Sequence, residues 1–147
     1  MDRITHIGVL VRDAEGAIAQ WSRLFNVSVV KRLSIPEEGV NSIFLSRDGS
    51  KTGFLIELIQ PMNPEDPNNP ASARLRDHGE GLFHIAMVED DIAAARARLS
   101  DGGARFVACP PITDSGDDRL MVARKEANGV LVEVISAREW AHIWALP

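Results

Sequence analysis

The sequence predicts an α+β fold in which one chain carries two βαβββ modules. An apolar stretch that begins with histidine occurs twice, at residues 6–13 and 84–91, and a helical pattern follows each copy. An apolar stretch with a central glutamate also occurs twice, at residues 54–59 and 130–135. The two histidines are 78 positions apart and the two glutamates 76, so the chain contains an internal repeat.

The first module, residues 1–61, opens with a short apolar strand over 4–11. A helix is predicted over 14–25 from the helical spacing of its apolar residues, with Asp13 as the N-cap and Asn26 as the left-handed terminating residue. Three strands are expected to follow, and Asp48-Gly49 predicts the turn before the last of them. Their predicted ranges are 27–33, 41–47 and 53–59.

The second module, residues 81–136, repeats this order. Strand 82–88 leads into helix 91–101, which Gly102-Gly103 closes. Strands near 104–108, 119–124 and 129–135 complete it. Residues 62–80 are predicted to be a linker rich in Pro, Asn and Asp with a short helix at 71–78, and residues 137–147 a short amphipathic tail.

Composition narrows the classes of function. The formal net charge is −5, which argues against a nucleic-acid surface. No apolar run approaches the ~20 residues that cross a bilayer, and the charged N-terminal stretch lacks the pattern of a signal peptide. Cys109 is the only cysteine, which excludes an intramolecular disulfide and a cysteine-based zinc site. A cytoplasmic protein is expected.

The repeated histidines and glutamates are the candidate functional residues. A carboxylate inside an apolar strand is costly to bury unless it is paired or binds a metal, and pseudo-twofold pairing of the modules would bring the four side chains together. Two imidazoles and two carboxylates suit one divalent ion of Zn, Ni, Co, Mn or Fe. The alternatives are hydrogen-bonded core histidines and ion pairs of the glutamates with Arg47 or Arg119. The predicted metal ligands are His6, Glu57, His84 and Glu133.

Several motifs resemble a known superfamily. Thr5-His6-Ile7-Gly8-Val9 followed by Trp21…Leu24-Phe25-Asn26 resembles the opening of glyoxalase-fold proteins, the vicinal oxygen chelate superfamily. Gly79-Glu80-Gly81-Leu82-Phe83-His84-Ile85-Ala86, Ile56-Glu57-Leu58-Ile59-Gln60-Pro61 and Asn128-Gly129-Val130-Leu131-Val132-Glu133 resemble methylmalonyl-CoA epimerases. The resemblance implies an open β-barrel-like cleft that holds the metal, a small-molecule substrate of the acyl-CoA or 2-oxo/hydroxy acid type, and a homodimer.

The resemblance also implies a metal-dependent lyase or isomerase, in which the metal binds a carbonyl oxygen and a carboxylate moves the proton of the neighbouring carbon. The epimerases carry a glutamate base in the context Glu-x-Gly-Val-x-Glu, whereas Glu38-Gly39-Val40-Asn41-Ser42 places serine there, so Ser42 is expected to contact substrate without acting as a base. By analogy with glyoxalase I, the candidate bases are Glu133 and Glu57. The alternatives are a lactoylglutathione lyase like glyoxalase I, a non-catalytic binding protein of the resistance type, and a non-haem iron dioxygenase.

Overall fold

The computed structural model describes residues 2–108 and 118–147, and Cys109 lies outside these ranges. It confirms the predicted α+β class. The elements along the chain are β1 (Arg3–Leu10), α1 (Ala14–Phe25), β2 (Ser28–Ile35), β3 (Val40–Ser46), β4 (Leu55–Pro61), α2 (Pro70–His78), β5 (Gly81–Glu89), α3 (Ile92–Asp101), β6 (Phe106–Val107), β7 (Arg119–Val122), a 3₁₀ turn (Arg124–Ala127), β8 (Leu131–Ser136) and α4 (Ala137–Ala145). The described strands pair in two sets of four, in the orders β2-β3-β4-β1 and β5-β8-β7-β6.

The chain divides into two compact units, of which the first is His6–Phe83. Its helix α1 has the predicted ends, because Asp13 Oδ1 accepts a hydrogen bond from the Gly16 amide at 3.2 Å and Asn26 adopts φ 55°. The helix covers one face of the sheet, where its apolar side packs over a buried cluster. That cluster consists of Val11, Ala14, Val27, Ile43, Leu45 and Leu58.

The opposite face of this sheet carries the candidate residues. Strands β1 and β4 are parallel, with His6 opposite Leu55 and Gly8 opposite Glu57. Side chains of directly paired residues share a face, and the face alternates along each strand. His6 and Glu57 therefore lie on the face away from α1.

The connection between β3 and β4 is longer than the predicted turn. Gly49 has φ 75° and makes a turn beside Asp48, but β3 ends at Ser46 and β4 begins only at Leu55. The Asp48 carboxylate organises the loop by accepting bonds from the Ser50 amide and the Ser46 hydroxyl, each at 2.8 Å. Both bonds lower the pKa of Asp48, and the bond from the Ser50 amide has the larger effect.

The second unit comprises residues 2–5 and 84–147, of which 109–117 are not described. Strands β5 and β8 are parallel, and α3 starts at the N-cap Asp91, whose Oδ1 accepts a bond from the Ala94 amide at 2.9 Å. Helix α3 packs over the buried cluster Ala95, Leu120, Val122 and Val134. Strand β7 ends at Val122 rather than at 124, because the 3₁₀ turn begins at Arg124. The chain then passes through Asn128 (φ 56°) and Gly129 (φ 91°), and the Gly129 amide donates a hydrogen bond to the Arg124 carbonyl.

The two predicted flanking segments each contain a helix. Helix α2 begins at Pro70, one residue before the predicted start, since proline is well suited to the first helical position. Helix α4 is amphipathic, and its Trp140 and Trp144 rings meet edge to face with centroids 5.5 Å apart. None of the described helices is both long and apolar enough to cross a membrane.

Candidate metal centre

The first candidate pair is His6 on β1 with Glu57 on β4. The Nε2 atom of His6 lies 3.3 Å from Oε1 of Glu57, and both side chains are buried. The His6 ring also meets the Phe44 ring edge to face, with centroids 5.3 Å apart. A carboxylate in this apolar surrounding needs a nearby positive charge, a donor or a metal ion, and the imidazole stands at the required place.

Ser42 lies on the same sheet face as this pair. In the antiparallel pairing of β3 with β4, Ser42 is opposite Ile59 and Phe44 is opposite Glu57, so these four side chains share the face. The Ser42 side chain is 1% exposed. Ser42 therefore lies on the strand next to Glu57 and on the same face, and it carries a hydroxyl where the epimerase pattern has a carboxylate.

The second candidate pair occupies the equivalent register in the other unit. In the parallel pairing of β5 with β8, His84 is opposite Leu131 and Ala86 is opposite Glu133. The first unit has the same arrangement. In each unit the histidine lies two residues before the residue that is paired with the glutamate. His84 and Glu133 are buried and lie on the face away from α3. The sequence repeat thus corresponds to a structural repeat of the two candidate pairs.

Glu133 has an ion-pair partner in the same unit, Arg119 on β7. The Nη2 and Nε atoms of Arg119 donate to Oε2 of Glu133 at 2.8 and 3.3 Å. Arg119 was one of the two arginines considered as an ion-pair partner from the sequence, but its place in the site was not predicted. The alternation of side chains along the strand could have indicated this contact. Arg119 and Met121 are two residues apart and therefore share the face of β7 that lies next to Glu133.

The His6–Glu57 pair of the first unit has the donor chemistry of a metal site. Both residues are buried. An ion with nitrogen and oxygen ligands at ~2.0–2.2 Å brings adjacent ligand atoms to about 3.0–3.5 Å. The 3.3 Å between His6 Nε2 and Glu57 Oε1 falls in that range, so this pair fits two ligands of a divalent ion.

Several other titratable residues of the described ranges are more exposed than the candidate ligands. His78 ends α2 and His142 lies on α4, and both side chains are exposed. Glu37 and Glu38 lie in the turn between β2 and β3, where Glu37 is exposed and Glu38 half-buried. We assign none of these four residues to the candidate site.

Comparison with known proteins gives consistent matches. A family model of the Glyoxalase/Bleomycin resistance protein/Dioxygenase superfamily matches residues 5–123. The Ethylmalonyl-CoA/methylmalonyl-CoA epimerase of Cereibacter sphaeroides is 33% identical over 140 residues, covering 90% of this chain and 96% of that protein. The mitochondrial methylmalonyl-CoA epimerase of Homo sapiens is 27% identical over 138 residues, covering 93% and 75%.

Solved structures give the same result. A methylmalonyl-CoA epimerase in complex with methylmalonyl-CoA and NH4+ superposes with a TM-score of 0.76 at 25% identity, covering 92% of this chain and 94% of that chain. These matches confirm the resemblance drawn from the sequence motifs.

Proposed function

Because the chain belongs to the glyoxalase/bleomycin resistance/dioxygenase superfamily, we propose that it is a metal-dependent lyase or isomerase that removes a proton from the carbon next to a thioester carbonyl. The proposed substrate class is an acyl-CoA, with methylmalonyl-CoA and ethylmalonyl-CoA as first candidates, since the relatives described above are epimerases of these compounds. The observation that carries the proposal is the buried histidine and glutamate found in the same strand register in both units.

The proposed metal ligands are the four residues predicted from the sequence, His6, Glu57, His84 and Glu133, all of which are buried. The ion is one of Co, Ni, Zn, Mn or Fe, which accept this mixture of imidazole and carboxylate. When bound, such an ion polarises a carbonyl and stabilises the charge that develops on its oxygen as the neighbouring carbon loses a proton.

The chain's own residues supply the proton transfer. Glu133 is the proposed acceptor, and Glu57 is the second candidate. Both carboxylates are buried among apolar strand residues, and the exclusion of water strengthens their electrostatic interactions with substrate. The carboxylate takes the proton from carbon, the resulting carboxylic acid exchanges that proton with solvent, and a solvent proton is then returned to the same carbon, which completes an exchange cycle without net change of the thioester.

Exchange of the carbon-bound proton with solvent tests this proposal. The protein is loaded with Co, Ni, Mn or Zn and incubated in D₂O with methylmalonyl-CoA, ethylmalonyl-CoA or a 2-oxo acid, and deuterium at the carbon next to the carbonyl is measured by mass spectrometry. We expect metal-dependent incorporation above the buffer rate for at least one acyl-CoA. The same thioesters without protein are the control. Binding of a thioester without exchange would contradict the proposed enzyme and would favour the non-catalytic binding protein.

Ser42 leads to a separate prediction about epimerisation. Inverting a carbon centre needs proton transfer on both faces of the planar enolate, and a serine hydroxyl without an activating base does not accept a proton near neutral pH. We expect the native protein to epimerise methylmalonyl-CoA slowly compared with its rate of proton exchange. Ser42→Glu should increase epimerisation, measured by chiral analysis of the thioester, whereas Ser42→Ala should not. Rapid epimerisation by the native protein would show that another residue supplies the second base.

The comparisons also bear on the alternative reactions. The relatives reported above are epimerases rather than lactoylglutathione lyases, which supports the acyl-CoA substrate over the glyoxalase I reaction. The homodimer and the cytoplasmic location stay predictions.

A further inference from the structure

We propose that Arg119 is a positioning residue that holds the carboxylate of Glu133 in the orientation required for proton transfer. This inference rests on the proposed function and deepens it, because it assigns a role to a residue outside the predicted ligand set. Nη2 and Nε of the Arg119 guanidinium both donate to Oε2 of Glu133. Two charge-assisted hydrogen bonds from one planar group hold that oxygen in place as well as compensating the charge of the carboxylate.

The strand geometry explains why these two side chains meet. Strands β7 and β8 are antiparallel, with Arg119 opposite Ile135 and Met121 opposite Glu133. Arg119 and Glu133 are therefore diagonal neighbours on one face of the sheet, a separation that a long side chain spans. Both residues are held by the sheet backbone, and so the guanidinium approaches the carboxylate from a fixed direction.

Burial distinguishes this pair from the other arginine–glutamate pairs recorded in the described part of the chain. The side chains of Arg119 and Glu133 are 10% and 6% exposed. In the Arg98–Glu89 pair of the same unit the values are 61% and 16%, although the distance of 2.7 Å is similar. An exposed ion pair contributes little to stability, and water competes for its charged groups. A buried ion pair is held in one arrangement.

The chemistry of the donor matters as well as its charge. An arginine presents several N–H donors in a rigid plane, while a lysine presents one flexible ammonium. Lysine at position 119 would therefore keep the charge next to Glu133 and lose the two-donor geometry. A positioning role predicts that Arg119→Lys retains the fold but not the full rate, which separates orientation from charge compensation.

The test is a double-mutant cycle on metal-dependent proton exchange. Arg119→Met and Arg119→Lys are each made alone and together with Glu133→Gln, and kcat and KM for deuterium incorporation are measured with an acyl-CoA. We expect each arginine substitution to lower kcat by ~10–100-fold, the range for residues that orient a functional group, while KM changes by less than about threefold. In the Glu133→Gln background the same substitutions should cause no further loss, because Arg119 acts through Glu133.

Arg98→Met is the matched control, since it breaks an arginine–glutamate pair in the same unit and should leave kcat unchanged. Circular dichroism confirms that each variant is folded, and the lysine variant keeps the test valid if the methionine variant unfolds. Losses that add to that of Glu133→Gln, or a full rate in folded Arg119→Lys, would overturn the positioning role alone. Absence of exchange in the unaltered protein would overturn the proposed function and the positioning role with it.

Discussion

Replacement of His84 by alanine is expected to remove the bound divalent ion and to abolish proton exchange. His84 is buried, and it occupies in the second unit the strand position that His6 occupies in the first. Loss of a residue that only orients a ligand typically costs ~10–100-fold in metal affinity, and loss of a ligand itself should cost more. We expect about one divalent ion per chain in the unaltered protein and none in His84→Ala, measured by elemental analysis after gel filtration.

The control for this substitution is His142→Ala. His142 lies in the same unit as His84, but its side chain is exposed on α4, so its removal should leave the metal content unchanged. His6→Ala should behave like His84→Ala. A protein that cannot be loaded with Co, Ni, Mn or Zn, or a His84→Ala variant that retains its ion, would contradict the metal centre.

Glu133→Gln is expected to lower the rate of proton exchange by ~10²–10⁴-fold, the usual contribution of a well-placed general base. This corresponds to about 3–5 kcal/mol in the activation free energy. The amide has nearly the same shape as the carboxylate, and its oxygen can still accept the bonds from Arg119, so the β7–β8 pairing should be retained. The amide cannot accept a proton, and the loss should therefore appear in kcat.

The matched control is Glu89→Gln on β5. Glu89 also accepts a hydrogen bond from an arginine, Arg98, at 2.7 Å in the same unit. The control should exchange protons at the unaltered rate, because Glu89 is neither a predicted metal ligand nor a candidate base. An undiminished rate in Glu133→Gln would exclude Glu133 as the base, and a loss in Glu57→Gln with metal retained would then assign that role to Glu57.

The parts of the fold that were predicted well depend on local signals. Helix α1 has the predicted ends, residues 14 and 25, because its N-cap and its left-handed terminating residue are recognisable from the sequence and form the expected contacts. The Asp48-Gly49 turn was recognised, but the loop around it is longer than predicted. The Ser46 and Ser50 contacts of Asp48 extend the loop, and the turn dipeptide alone does not reveal them.

The candidate site shows the same division. The histidines and glutamates were found because the repeat compares distant positions of the chain, and their register in the two parallel strand pairs agrees with it. The Arg119–Glu133 pair was only one of two possibilities. Its choice depends on the order and register of β7 and β8, and thus on non-local strand pairing.

Because side chains alternate between the two faces of β3, the residues that affect reactivity differ from the residues that pack under the helix. Ser42 and Ile43 are adjacent in the chain, yet Ser42 lies on the face of the candidate site and Ile43 belongs to the cluster under α1. A substitution at position 42 can alter reactivity while the packing of the helix is preserved. Deletion of one residue from β3 would move side chains of the strand to the opposite face, and this would disrupt both the candidate site and the packing under α1. Reactions can therefore diversify on this scaffold by substitution on one strand face, while insertions and deletions are confined to the loops.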